Sequence, residues 1–166
     1  STGVLRDPAV RAYMMASTPP AALPAHIPGR WVSEPGWPGP SSRANRLYLT
    51  LEGLREEPGD DEAMSLSSPQ TTGRDGGEFC VIWLGPEFAG DQARDDAGSL
   101  AFDTPVLGSD LDLVGQAELE LEFTSDQPIA LLAVRLNDVR PDGSVSRITY
   151  GLQNLTHIVS HEHPEA

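Results

Sequence analysis

The serines of this chain are its candidates for nucleophilic chemistry, because a serine hydroxyl can attack a carbonyl carbon when a histidine and an acid assist it. In one large class of hydrolases that serine lies on a sharp turn with the sequence G-x-S-x-G. This pentapeptide does not occur in the 166 residues. The serines lie in polar or loop segments, with no histidine and acid patterned around them: Ser41, Ser42, Ser67, Ser68 and Ser99. The sequence therefore predicts no catalytic triad within the chain, and we expect the chain alone to be inactive.

A histidine-rich end is the first candidate for a metal site. His157, His161 and His163 stand close to Glu162, and imidazole and carboxylate groups at such spacing can share one metal ion. The last of these residues lie at the extreme end of the chain, where order is least expected. We favour a solvated tail, and we predict no metal site and no cofactor.

Acidic residues are the second candidate, because clustered carboxylates on loops can coordinate calcium. They fall into two groups, which are Asp60, Asp61 and Glu62, and Asp91, Asp95 and Asp96. Neither group has the regular D-x-[DN]-x-[DN]-G spacing of a calcium loop. We interpret both groups as solvated surface.

Three tryptophans are candidates for binding or packing: Trp31, Trp37 and Trp83. Exposed indole rings could form a platform on which sugars stack, as in carbohydrate-binding modules. Tryptophan beside Pro and Gly more commonly packs a loop onto a core or onto another domain. The packing interpretation is favoured, and a stand-alone carbohydrate-binding β-sandwich is the alternative.

The charge of the chain limits its partners. Asp and Glu number 25 against 11 Lys and Arg, so the formal net charge is −14, which repels phosphate backbones and anionic membrane surfaces. No apolar run reaches the length of a membrane span, and no signal-peptide pattern is visible. We therefore expect no nucleic acid and no membrane as partners, and a cytoplasmic location. The single cysteine, Cys80, excludes an internal disulfide.

Several short segments alternate apolar and polar residues with period two, and we expect these strands to position the candidate residues named above. Apolar and polar residues alternate at 47–51 and at 117–123, which is typical of strands with one buried face. The nearly apolar run at 128–139 predicts a strand covered on both faces, and 145–152 alternates again. Arg140-Pro141-Asp142-Gly143 between them has the residues of a tight turn. The two strands are therefore a predicted β-hairpin.

Further short strands, bounded by Gly, Pro or Asp, are predicted at 64–66, 79–84, 100–102 and 111–114. Short strands separated by turn residues favour an all-β sandwich or jelly roll over alternating strands and helices.

The start of the chain is ambiguous, since residues 8–15 fit a capped helix and also a strand. The segment 18–42 is rich in Pro and Gly and predicts an ordered loop, whereas 56–62 and 71–77 predict exposed loops. We interpret the chain as one domain, with an entry strand and Trp/Pro-rich loop at 1–46 and sandwich strands at 47–166.

A series of motifs follows in a fixed order along the chain. It consists of Tyr13-Met14-Met15, Gly29-Arg30-Trp31, Asp91-Gln92, Arg94-Asp95-Asp96, Ser99-Leu100-Ala101-Phe102-Asp103, Thr124-Ser125-Asp126-Gln127-Pro128, Val134-Arg135-Leu136-Asn137-Asp138-Val139, Pro141-Asp142-Gly143 and Tyr150-Gly151-Leu152-Gln153-Asn154-Leu155-Thr156-His157. In this series the chain resembles the C-terminal β domain of the X-Pro dipeptidyl-peptidase and cocaine-esterase group of α/β-hydrolases.

The resemblance implies a jelly-roll, galactose-binding-like sandwich that packs on a catalytic domain and a cap of the same protein. In such hydrolases the Ser, Asp and His of the triad lie upstream, so no catalytic residue maps onto this chain. The domain helps to close a cleft for esters or X-Pro peptides. A Gly-Gly loop approaches the substrate pocket, and the matching residues here are Gly76, Gly77, Glu78 and Phe79.

Family members continue past the histidine stretch with further strands, whereas this sequence stops at Ala166. We therefore expect a sandwich that is truncated at its C-terminal end. An unfinished sheet edge would allow self-association.

Overall fold

The computed structural model describes residues 6–60, 62–77 and 88–157. Regular structure in these residues is nearly all β, with six strands paired into three antiparallel hairpins, one short α-helix before the last hairpin and a 3-10 helix at Leu155–His157 after it. The predicted all-β class is therefore confirmed. The jelly-roll arrangement stays a prediction, because three two-stranded sheets do not by themselves define a sandwich.

The first hairpin joins β1 (Val10–Met15) to β2 (Gly29–Glu34), with Tyr13 opposite Trp31. The ambiguous start of the chain is thus a strand. The predicted loop over 18–42 is wrong at Gly29–Glu34, because the short segment around Trp31 finds a hydrogen-bonded partner in β1 despite its Pro- and Gly-rich flanks.

The second hairpin joins β3 (Tyr48–Thr50) to β4 (Gly53–Arg55). It confirms the centre of the strand predicted at 47–51. The Leu54 N–H donates to the Asp103 carbonyl over 2.8 Å, so a distant segment lies against β4.

The third hairpin joins β5 (Leu131–Val139) to β6 (Val145–Asn154) and confirms the predicted strand–turn–strand unit. In the turn, Gly143 has φ +84°, which a residue with a side chain rarely adopts. Asp142 accepts hydrogen bonds from the Ser144 backbone N–H and hydroxyl, and these bonds hold the pKa of the Asp142 carboxyl below its usual value. The prediction that β5 is covered on both faces is wrong, since Leu131 is 62% exposed.

Several predicted strands do not form. The segments at 64–66, 100–102, 111–114 and 117–123 have no strand structure, and the side chains of 117–123 are exposed. Alternation of apolar and polar residues favours a strand, but a strand in a sheet also needs a neighbouring strand to which its backbone is hydrogen-bonded. No described segment provides such a neighbour for these segments. The strand predicted at 79–84 lies outside the described residues.

The most enclosed side chains of the described residues are polar. Gln92 is 0% exposed and Asp95 is 1% exposed, while the buried apolar side chains are Ala89 and Val145. Gln92 and Asp95 belong to the short helix α1 (Ala93–Asp96) and its N-terminal flank. Buried polar groups need partners, and these partners define the candidate site.

Candidate functional site: a polar cluster beneath a glycine loop

The start of α1 is bonded to the start of β6. The Asp91 carboxylate accepts hydrogen bonds from the backbone N–H groups of Ala93 and Val145, each over 3.0 Å. The Gln92 N–H donates to the Val145 carbonyl, also over 3.0 Å. Asp91 therefore begins the helical turn and joins it to the β5–β6 hairpin, which brings the α1 carboxylates to the strands.

Arg135 of β5 is the centre of the cluster. One guanidinium nitrogen donates to Gln92 Oε1 over 3.1 Å and lies 4.0 Å from Asp95 Oδ2. The other donates to Ser99 Oγ over 3.0 Å and lies 2.9 Å from Asp96 Oδ1. A guanidinium with several donors in a fixed plane suits this arrangement, so one half-buried cation holds two carboxylates.

The environment of Asp96 perturbs the ionisation of its carboxyl group. Burial raises the pKa of the Asp96 carboxyl above its usual value of 3.8, against the opposing effects of the Arg135 charge and of a hydrogen bond from Asn137. The Asn137 side-chain amide donates to Asp96 Oδ1 over 3.1 Å. The charges of Asp95 and Asp103 raise the pKa further.

The cluster also holds the backbone of the loop at 69–77. The Asp75 carbonyl accepts hydrogen bonds from Gln92 Nε2 over 2.7 Å and from the Gly90 N–H over 2.9 Å. The Asp75 N–H donates to Asp95 Oδ2 over 3.3 Å. Gln92 Nε2 also donates to the Gly90 carbonyl over 3.1 Å, so both polar ends of the Gln92 side chain are bonded, one to Arg135 and the other to the loop and to Gly90.

The loop ends at two glycines where a side chain has no room. A Cβ on Gly76 would lie 2.9 Å from the Gly73 carbonyl oxygen, and one on Gly77 would lie 2.9 Å from the Phe88 carbonyl oxygen. Gly77 also has φ +78°. Arg147 of β6 donates to the Gly76 carbonyl over 2.6 Å, and its guanidinium lies 4.4 Å from the centre of the Tyr150 ring.

These residues coincide in part with the predicted Gly-Gly loop. Gly76 and Gly77 lie on the loop that the cluster holds, whereas Glu78 and Phe79 lie outside the described residues. A cavity of about 200 Å³ opens beside the same loop, between the turn at 69–72 and α1. The loop at 71–77, predicted to be exposed, has half-buried residues at Thr72, Asp75 and Gly76.

Of the candidate tryptophans, Trp31 lies on β2 of the first hairpin and Trp37 in the loop after it. Trp31 is 67% exposed and Trp37 is 58% exposed. The Tyr13 ring meets Trp31 edge to face at 5.5 Å, and the Arg11 guanidinium lies 5.8 Å from the Trp31 ring centre. Trp83 lies outside the described residues.

Several of the described serine hydroxyls donate hydrogen bonds within the chain. Ser41 donates to the Glu34 carboxylate, Ser99 donates to the Asp95 carbonyl over 2.7 Å, and Ser146 donates to the Thr18 carbonyl over 2.7 Å. Within the described ranges, no group of three or more His, Cys, Asp or Glu side chains is arranged to hold a metal ion. Nor does any helix in those ranges have the length and apolar character to cross a membrane. His161 and His163 lie outside them.

The prediction that Asp91, Asp95 and Asp96 form a solvated surface is wrong for Asp95, which is buried against Arg135. Sequence reasoning missed Arg135 and Gln92 as members of one cluster. A signal was present, because Arg135 interrupts an otherwise apolar run and a charge in such a run needs a buried partner. The partner lies about 40 positions earlier in the chain, where periodicity gives no information.

The sequence model of one protein family matches residues 2–166, and the family is described as the X-Pro dipeptidyl-peptidase C-terminal non-catalytic domain. The chain belongs to this family. The assignment confirms the resemblance found in the motifs. No curated protein and no solved structure matches the chain. In this X-Pro dipeptidyl-peptidase C-terminal domain, the Arg135 cluster joins α1 and β5 to the loop at 69–77.

Proposed function

We propose that the chain packs on the catalytic and cap domains of a serine hydrolase and forms part of the wall of its substrate cleft. The family is described as the non-catalytic C-terminal domain of X-Pro dipeptidyl-peptidase. X-Pro peptides are therefore the preferred candidate for the substrate of that hydrolase, and esters are the second candidate. The nucleophile, base and oxyanion hole belong to the catalytic domain. A cytoplasmic location and the jelly-roll arrangement are part of the same proposal.

The observation that carries the packing proposal is the exposure of large apolar side chains. Trp31 and Trp37 are more than half exposed, and Leu131 and Leu152 are 62% and 60% exposed. Exposed apolar area of this kind is typical of a surface that a partner covers. The formal charge of −14 makes a basic or neutral surface the better partner.

The β5–β6 hairpin provides one continuous face for such packing. Leu131 and Ala133 are two positions apart on β5, and Leu152 is paired with Ala133, so all three side chains leave the same face. Tyr150, paired with Arg135, continues this face toward the polar cluster. The cluster fixes one end of the face, and the apolar side chains are free to contact a neighbouring domain at the other.

The cleft-wall proposal concerns the loop of Gly76, Gly77, Glu78 and Phe79. The glycines allow close approach of another backbone or of a ligand, and the loop is held by buried side chains of α1.

Hydroxyl-radical footprinting read by mass spectrometry tests the packing proposal. Oxidation of Trp31 and Trp37 is compared between the isolated chain and the protein that also contains the catalytic domain. We expect strong protection of both indoles in the larger protein, while Leu51, which is 67% exposed on the β3–β4 turn, serves as the unprotected reference. Equal oxidation of both tryptophans in the two samples would contradict the proposal.

Carbohydrate binding is the second candidate, and the exposure of Trp31 and Trp37 favours it as well. Arg11 already lies over the Trp31 ring, which leaves less of that ring for a sugar. A glycan array separates the two candidates, because binding that disappears in both Trp31→Ala and Trp37→Ala would support the carbohydrate module. We expect no binding.

Self-association is the remaining proposal on partners. The three described sheets are two-stranded, and an unpaired strand edge can pair with a second copy. The net charge of −14 opposes such pairing. Light scattering after size exclusion at low and high salt measures the fraction of dimer. A dimer fraction that increases with salt would support the edge contact.

A further inference from the structure

The loop that contains Gly76 and Gly77 is held by side chains in a way that surface loops usually are not. Backbone groups of such loops normally bond to water. Here the Asp75 N–H, the Asp75 carbonyl and the Gly76 carbonyl each bond to a side chain, from Asp95, Gln92 and Arg147 respectively. Three polar backbone groups in two consecutive residues are therefore fixed from outside the loop.

The side chains that hold the loop are themselves fixed. Gln92 and Asp95 are 0% and 1% exposed, and both contact the Arg135 guanidinium. Arg147 stacks on Tyr150 of the same strand. Burying polar groups costs free energy and ordering a loop costs entropy, so this arrangement preorganises the surface that the glycines present.

We propose that Gln92, Asp95 and Arg147 are positioning residues for the Gly76–Gly77 loop, with Arg135 holding Gln92 and Asp95 in place. The role in substrate binding rests on the proposed function, in which this loop forms part of the cleft wall. None of the four side chains needs to touch the substrate. Their effect is to keep the two glycines in one conformation before the substrate arrives.

Trypsin provides a local test, because Arg74 lies exposed within the loop. The variants Arg147→Met and Gln92→Met are made in the full protein that contains the catalytic domain. Loss of the hydrogen bond from Arg147 or Gln92 to the loop backbone is expected to raise the rate of cleavage after Arg74 by about tenfold. Arg147→Lys, which keeps a cationic donor, should restore part of the protection.

The matched control is Arg55→Met, because Arg55 is also a half-buried arginine that donates to a backbone carbonyl, that of Leu54 over 3.0 Å. It is expected to leave cleavage after Arg74 unchanged. Cleavage after arginines outside the loop reports general unfolding, and it should not change in any variant. Unchanged cleavage after Arg74 in both Arg147→Met and Gln92→Met would overturn the proposal.

Steady-state kinetics with an X-Pro p-nitroanilide separate this proposal from the proposed function. If the loop is part of the cleft wall, Arg147→Met and Gln92→Met raise KM several-fold and leave kcat nearly unchanged. Faster cleavage after Arg74 with an unchanged KM would support the positioning role and contradict the cleft wall. A fall in kcat that Arg55→Met reproduces would indicate general destabilisation and count against the positioning role.

Discussion

Replacing Arg135 by Met should destabilise the chain more than any other single arginine substitution among the described residues. The methionine keeps much of the apolar length of the side chain but removes the cation that lies against both Asp95 and Asp96. Asp95, which is 1% exposed, is then left as an uncompensated buried carboxylate, and Asp96 loses its partner at 2.9 Å. Breaking a buried ion pair from one side costs about 3–5 kcal/mol.

Urea unfolding measures this loss. At a slope of about 2 kcal/mol per M, the predicted loss lowers the midpoint of unfolding by about 1.5–2.5 M relative to the unsubstituted chain. The double variant Arg135→Met with Asp95→Asn should recover part of the loss, because the buried charge that lacks a partner is gone.

Arg30→Met is the matched control for this prediction. Arg30 pairs with Asp112, but the two side chains are 55% and 56% exposed, and exposed pairs contribute only about 0–1 kcal/mol. If Arg135→Met lowered the midpoint no more than Arg30→Met, the Arg135 cluster would contribute no more to stability than an exposed ion pair, which would contradict the prediction.

Three further predictions concern proton binding and the last turn. Because the pKa of Asp96 is raised above 3.8 in the folded chain, its contribution to stability is fully present below pH 3.8 and is lost as the pH rises through the folded-state pKa. Urea midpoints measured across acidic pH should show this loss, and Asp96→Asn should remove it. The pKa of Asp142 is lowered, so its contribution has the opposite sign, present above 3.8 and lost as the pH falls through the folded-state pKa, and Asp142→Ala should abolish it. Gly143→Ala places a side chain on a residue with φ +84° and should lower the free energy of unfolding by about 1–2 kcal/mol, measured by heat or urea. Gly151→Ala in β6 is the control, because a Cβ there meets nothing within 4 Å, and it should be neutral or slightly stabilising. Equal losses of stability at the two glycines would contradict the assigned turn.

The sequence predicts the hairpins better than it predicts the contacts between them. Pro141 and Gly143 mark the last turn through local conformational preferences, and the strands on either side follow from local patterns. The polar cluster depends on pairing between α1 and β5, which are separated by about 40 residues, and no local pattern reports such a contact.

The segment at 117–123 shows the converse. Its alternation is the clearest in the chain, yet it forms no strand among the described residues. A pattern of side chains determines which face of a segment can be buried, but the neighbouring strand determines whether a ladder forms.

The most direct test of the central claim is a hydrolysis assay on the purified chain with an X-Pro p-nitroanilide and a p-nitrophenyl ester. We expect no turnover of either substrate, because the groups that attack the carbonyl belong to the catalytic domain in the proposed function. Turnover that disappears when one of the chain's own serines, such as Ser41 or Ser99, is replaced by alanine would contradict it.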